Sequence, residues 1–87
     1  MDITVHGKRM TLTAKTLQAT RQWYADNAMA CIAEVESGEV KVSDPASYKE
    51  WRLQSAADSL AGKDDHTFAF AQRALFIQTG ESVPLLS

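Results

Sequence analysis

The sequence predicts a small α+β domain, mostly helical, in which an N-terminal β-hairpin packs on three α-helices. Three patterns carry this prediction: an alternating segment around a glycine at residues 2–13, two capped amphipathic stretches, and an apolar stretch of helical length at residues 67–79. The 87 residues suffice for a single domain. Because the chain has one cysteine, no internal disulfide is available and packing must stabilise the domain.

Residues 2–13 are predicted to form the hairpin around a two-residue Gly7-Lys8 turn, because glycine in the first turn position suits type II′ geometry. The resulting register pairs Val5 with Met10 and places four apolar side chains on one face. An isolated hairpin is marginal in water, so we expect this face to dock on the helices. It consists of Ile3, Val5, Met10 and Leu12.

A first helix is predicted over residues 14–37, with Thr13 as its N-cap and Gly38 just beyond its end. Trp23 lies about 100° away from the apolar stripe of this helix. Residues 39–42 alternate enough for a short third strand beside the hairpin, but an extended linker fits them equally well. The stripe itself consists of Leu17, Tyr24, Ala28, Cys31 and Val35.

A second helix is predicted over residues 45–61, because Asp44 is a strong cap, Pro45 suits the first helical position and Gly62 follows the end. Its larger side chains divide between two opposite sides, so the sequence does not indicate which side faces the core. Leu53, Ala57 and Leu60 share one side, while Tyr48, Trp51 and Ser55 share the other.

The third helix is predicted over residues 66–79, with Asp64 or Asp65 as its cap and Gly80 at its end. Its apolar side chains point in nearly all directions, and such a helix must be covered on more than one side. We therefore expect it to be the central helix. Either the rest of the chain surrounds it, or a homo-oligomer forms through this helix or through the apolar tail at residues 82–87.

The screen for chemistry predicts neither an enzyme nor a cofactor. The four glycines are all assigned to turns and helix ends, so none is left for a phosphate-binding loop, and His6, Cys31 and His66 have no metal-ligand spacing. Residues 58–60 read Asp-Ser-Leu, the tripeptide at which acyl carrier proteins attach phosphopantetheine. The predicted position of Ser59, at the end of a helix, argues against that role.

The remaining function classes involve surfaces. With no apolar leader and no apolar run of membrane-spanning length, we expect a cytoplasmic protein without membrane contact. The preferred hypothesis is a non-enzymatic protein-binding module, such as an adaptor, inhibitor, assembly factor or regulator of the kind that phages and mobile elements encode. Tryptophan, tyrosine and arginine are enriched in binding hot spots. The candidate residues are Trp23, Tyr48, Trp51 and Arg52, although a domain this small also needs large side chains for its core.

The alternative is a small nucleic-acid-binding regulator. Residues 1–25 carry a net charge of +3, whereas residues 26–65 carry −5, and a β-ribbon can enter a major groove. Four positive charges are few, and the sequence pI of about 5.5 is far below that of typical nucleic-acid-binding domains. The candidate contacts are His6, Lys8 and Arg9 at the hairpin tip and Lys15 and Arg21 on the first helix.

Overall fold

The computed structural model of the protein describes residues 1–5 and 7–80, and the side chains of these residues apart from those of Val5 and Lys8. It confirms a small, mostly helical α+β domain. The elements in chain order are β1 (Asp2–Val5), β2 (Lys8–Thr11), α1 (Ala14–Glu36), α2 (Pro45–Leu60) and α3 (Phe68–Thr79).

The longest helix, α1, organises the fold. Both α2 and α3 pack against it, whereas α2 and α3 do not pack against each other within the described part of the chain. The prediction that the third helix is central is therefore wrong. α3 buries one side, which contains Phe70 and Leu75, while Phe68 and Phe76 on its other surfaces stay exposed.

The helices α1 and α2 form an antiparallel pair joined by contacts at both ends. Ser59 Oγ, near the end of α2, donates to the carbonyl of Arg21 at 2.9 Å, and Lys49 Nζ, near its start, lies 3.1 Å from Glu36 Oε1. The buried centre is a cluster of small side chains, which allow the two backbones to approach closely. This cluster consists of Ala25, Ala28 and Ala56.

A second core joins the hairpin to α3 and to the N-terminal half of α1. Leu12 and Phe70 are its largest fully buried apolar side chains. Ile3 and Met10 pack against this core, which confirms that the apolar face of the hairpin docks on a helix. Gln78 fastens the end of α3 to the same region by hydrogen bonds to the backbone of Thr11 and Thr13.

The predicted hairpin register is wrong by two residues, since Val5 was predicted to pair with Met10. β1 and β2 are antiparallel, but Ile3 pairs with Met10 and Val5 with Lys8, so residues 6 and 7 connect the strands. Gly7 occupies the second position of this connection with a φ of 77°, where glycine is favoured because it has no Cβ. Both registers leave the same strand residues on the apolar face, and the pattern of apolar residues therefore did not distinguish them.

The helix boundaries agree with the sequence to within two residues. α1 and α2 each end one residue earlier than predicted, and both are followed by a glycine with positive φ, Gly38 and Gly62. The predicted cap of α3 is wrong. The hydroxyl of Thr67, rather than Asp64 or Asp65, accepts from the backbone N–H of Phe70 at 3.1 Å, and the helix starts at residue 68.

The undecided segment at residues 39–42 forms no strand. Its backbone instead folds back on the end of α1, where the N–H of Val40 donates to the carbonyl of Glu34 at 3.2 Å. The apolar tail predicted at residues 82–87 lies outside the described residues. None of the helices described is both long and apolar enough to cross a membrane.

Candidate functional site

The first half of α2 carries a compact group of three side chains, Tyr48, Trp51 and Arg52, which we call the aromatic patch. Helix geometry brings residues three and four apart onto neighbouring positions of one surface. The rings of Tyr48 and Trp51 meet edge to face with centroids 5.7 Å apart. The guanidinium carbon of Arg52 lies 4.4 Å from the centroid of the Trp51 ring and 5.4 Å from that of Tyr48.

A hydrogen bond fixes this arrangement further. Arg52 Nε donates to the hydroxyl oxygen of Tyr48 at 3.1 Å, so the guanidinium is held by a ring face and by a polar contact together. No carboxylate of the described residues forms an ion pair with Arg52, and its outer amino groups therefore have no counter-charge within this part of the fold.

The ring of Trp51 lies outside the helix interface, whose centre is filled by smaller residues. Ala56 and Ser59 are the buried residues of α2, and they face α1 between the two sides that carry the larger side chains. Trp51 keeps 56% of its surface exposed, while Leu53 and Leu60 on the other flank are also exposed. The prediction had not identified the face that α2 buries, because alanine and serine contribute little to an apolar stripe.

An apolar pocket of about 240 Å³ lies next to the aromatic patch, between the end of α1 and the start of α2. Tyr48 belongs to both, since it lines the pocket and its hydroxyl oxygen accepts the hydrogen bond from Arg52. The paired side chains of Glu36 and Lys49 complete the lining. We call this the anchor pocket, and its other lining residues are Ile32, Val35, Pro45 and Ala46.

The start of α2 is fixed by Asp44, which precedes Pro45. One carboxylate oxygen accepts from the backbone N–H of Ser47 at 3.1 Å and the other from its hydroxyl at 2.8 Å. These bonds, the backbone one foremost, lower the pKa of the Asp44 carboxyl from its usual value. The wall of the anchor pocket formed by Pro45 and Ala46 is therefore set by a well-capped helix end.

Trp23, the fourth predicted protein-binding residue, belongs to a different cluster on α1 and α3. Its ring meets that of Tyr24 edge to face, and the guanidinium carbon of Arg73 lies 4.0 Å from its centroid. Arg73 also lies 5.3 Å from the ring centroid of Phe76. Arg73 was not among the predicted site residues. It is the single charged residue between Thr67 and Thr79, and this isolation in an apolar helix is the sequence feature that indicates a specific role.

Tyr24 links this second cluster to the core. Its hydroxyl donates to the carbonyl of Ala69 at 2.9 Å, and its ring stacks near Phe70 with a centroid separation of 6.3 Å. Burial is the main cause that raises the pKa of the Tyr24 hydroxyl, and the nearby positive charge of Arg73 opposes it. Trp23 is 38% exposed and takes part in the packing between α1 and α3. Trp51, at 56%, is more exposed and takes less part in the packing of the fold.

The structure describes the side chains of three residues of the nucleic-acid hypothesis, which are Arg9, Lys15 and Arg21. Arg21 is paired with Asp65, and their hydrogen bonds are the main cause that raises the pKa of the arginine. Arg9 and Lys15 are exposed. His6 and the side chain of Lys8, at the predicted hairpin tip, lie outside the described residues.

The chemical screen of the described residues finds no group of three or more metal-ligating side chains. Cys31 is half-buried on the apolar side of α1. Ser59 is 2% exposed, and its hydroxyl hydrogen is donated to the carbonyl of Arg21. A serine in this state is closed to attachment of a prosthetic group.

Comparison with known proteins yields no assignment, because no family model, no curated protein and no solved structure matches the chain. The candidate site therefore rests on the geometry of α2 and its surroundings. Self-association through residues 66–79 stays a prediction, for which the exposed ring of Phe76 on α3 offers apolar surface.

Proposed function

We propose that the protein is a non-enzymatic protein-binding module whose contact surface is the aromatic patch on α2. The observation that carries this proposal is the state of Trp51, which is more than half exposed and yet held between Tyr48 and Arg52. A large ring that is already fixed loses little side-chain entropy when a partner covers it. The three residue types of the patch are also those most enriched in binding hot spots.

The packing of the helix pair supports the same proposal. Because Ala25, Ala28 and Ala56 fill the centre of the interface between α1 and α2, the exposed ring of Trp51 is not needed to close it. An exposed tryptophan that does not serve the core leaves apolar surface in water, and a binding partner that covers it gains that area. Small adaptors, inhibitors, assembly factors and regulators all act through surfaces of this kind.

The test compares immobilised wild-type protein with the variant Trp51→Ala in a lysate of the source organism treated with nuclease. Proteins retained by the wild type are identified by mass spectrometry, and their affinities are then measured with purified material. We expect Trp51→Ala to weaken binding about 30-fold or more, since hot-spot truncations cost about 2 kcal/mol or more. Its free energy of unfolding should fall by only about 1 kcal/mol or less.

Leu53→Ala is the matched control, because Leu53 is an exposed apolar residue on the opposite flank of the same helix. This variant should bind like the wild type. Equal binding by Trp51→Ala and wild type contradicts the proposal, and so does a loss of binding that follows from unfolding. If nuclease removes all bound material, the nucleic-acid hypothesis replaces it.

A further inference from the structure

We infer that the partner is recognised through a segment that pairs an acidic side chain with a bulky apolar one. The carboxylate would bind Arg52, and the apolar side chain would enter the anchor pocket beside it. This inference rests on the proposed function and adds the chemistry of the ligand. It follows from three properties of the surface around Tyr48.

The first property is the unused hydrogen-bonding capacity of Arg52. Its Nε–H is donated to Tyr48, and the face of its guanidinium lies over Trp51, so the outer amino groups are the part left for a ligand. A planar guanidinium presents paired donors that match the two oxygens of a carboxylate. Because the side chain is already fixed, less entropy is lost when that pair forms.

The second property is the state of the neighbouring acids. Glu36 at the anchor pocket is paired with Lys49, and Asp44 holds the N-terminus of α2 through two bonds from Ser47. Both carboxylates therefore have hydrogen-bond or ion-pair partners, whereas Arg52 has no carboxylate partner among the described residues. The guanidinium of Arg52 thus has no counter-charge within the part of the chain that the structure describes, and a carboxylate on the partner complements it.

The third property is the position of the anchor pocket. Its volume of about 240 Å³ exceeds that of one aliphatic or aromatic side chain, and Ile32, Val35 and Ala46 give it apolar walls. Since Tyr48 lines the pocket and also contacts Arg52, the two subsites lie side by side. A short stretch of one chain reaches both, which selects a linear segment with the acidic and apolar side chains close together.

The test selects ligands from a library of random peptides displayed on phage, using the immobilised full-length protein. Enriched peptides are synthesised with a fluorescent label, and their affinities are measured by fluorescence polarisation. We expect the enriched sequences to combine Asp or Glu with a large apolar residue. Replacing the peptide acid by its amide should weaken binding about tenfold, and replacing it by lysine should weaken binding more.

Three protein variants separate the subsites. Arg52→Gln should weaken binding about tenfold or more, Arg52→Lys should weaken it less, and Ala46→Phe should block the anchor pocket and weaken binding of the peptide that carries the apolar residue. Glu50→Gln is the control, because Glu50 is exposed and lies about 200° from Arg52 around α2. Circular dichroism of each variant checks that the fold is retained.

The outcomes distinguish this inference from the function it rests on. If Trp51→Ala abolishes peptide binding while Arg52→Gln and Ala46→Phe do not, the protein-binding surface stands and the acidic-apolar ligand is wrong. Enrichment of basic peptides, or the absence of any enriched peptide, also overturns the inference. If Trp51→Ala, Arg52→Gln and Ala46→Phe all bind the enriched peptides as tightly as the wild type, both the ligand and the proposed surface are wrong.

Discussion

Asp65 accepts hydrogen bonds from Nε–H and Nη2–H of Arg21, which lies 44 residues earlier in the chain. The side chains of this pair are 32% and 17% exposed, so the contact is partly shielded from water. It joins α1 to the connection between α2 and α3. A forked, partly buried ion pair is worth more than an exposed one because two charge-assisted bonds form in one geometry.

Asp65→Asn is expected to lower the free energy of unfolding by about 1–2 kcal/mol, because the guanidinium loses its counter-charge and keeps weaker bonds. Urea unfolding followed by circular dichroism measures the change. Lys49→Ala is the control, since it removes the exposed pair with Glu36 and should cost less than about 0.5 kcal/mol. Equal losses in the two variants would show that the Arg21 pair has no special role in stability.

Gly62, when substituted, provides a second test of the ion pair between Arg21 and Asp65. Its φ of 80° favours glycine, and a Cβ at this position would lie 3.1 Å from Arg21 Nη2. Gly38, with a φ of 85° and no heavy atom within 4 Å of its added Cβ, provides a matched control. Both alanine variants should lose about 1 kcal/mol from backbone strain, and Gly62→Ala should lose more because the guanidinium must move from Asp65.

Thermal and urea unfolding of the two glycine variants, alone and combined with Asp65→Asn, checks this prediction. The excess cost of Gly62→Ala over Gly38→Ala should shrink in the Asp65→Asn background, where less is lost when the guanidinium moves. An excess of unchanged size would mean that the added methyl group does not act through the ion pair.

These long-range contacts mark the limit of what the sequence predicts. The helices, the positive-φ glycines beyond α1 and α2, and the docked face of the hairpin follow from local patterns, and all are confirmed. The cap of α3 was misassigned because Asp64, Asp65 and Thr67 are all good caps. Asp65 pairs with Arg21, which is 44 residues away in the chain, and no local sequence pattern predicts such a contact.

The candidate site, too, was predictable from the sequence only in part. Helical spacing placed Tyr48 and Trp51 together and away from the core, but their contacts with Arg52 required side-chain coordinates. The helix predicted to be central was the one richest in large apolar residues. The observed centre is α1, which packs on α2 through alanines, and periodicity analysis gives such residues too little weight.

Because α1 packs on α2 through alanines, enlarging an alanine of α1 should destabilise the protein at a buried position and have little effect at an exposed one. Ala28 is 3% exposed against α2, whereas Ala33 is exposed. Ala28→Leu should destabilise the protein by about 1–3 kcal/mol, because a larger side chain forces the two helices apart. Ala33→Leu should change stability by less than about 0.5 kcal/mol. Urea unfolding of both variants measures this difference, and similar values for the two would contradict the close packing.

The cap of α2 makes stability depend on pH in a defined direction. Hydrogen bonds from Ser47 lower the pKa of Asp44, so folding favours its carboxylate form. The contribution of this carboxylate is complete above the ordinary pKa of about 3.9, and it is lost as the pH falls through the lowered value of the folded state. The stability gap between wild type and Asp44→Ala should therefore be constant from about pH 7 to about pH 5 and narrow below about pH 4.

Thr67→Ala is the control for this experiment, because the hydroxyl that caps α3 does not titrate. Its stability gap to the wild type should stay the same over the whole pH range, apart from effects common to all variants. Urea unfolding at several pH values gives both gaps. If the Asp44→Ala gap stays constant in acid, or widens there, Asp44 does not stabilise α2 through its charged form. If both gaps narrow together, the acid effect lies elsewhere in the fold and is not a property of this cap.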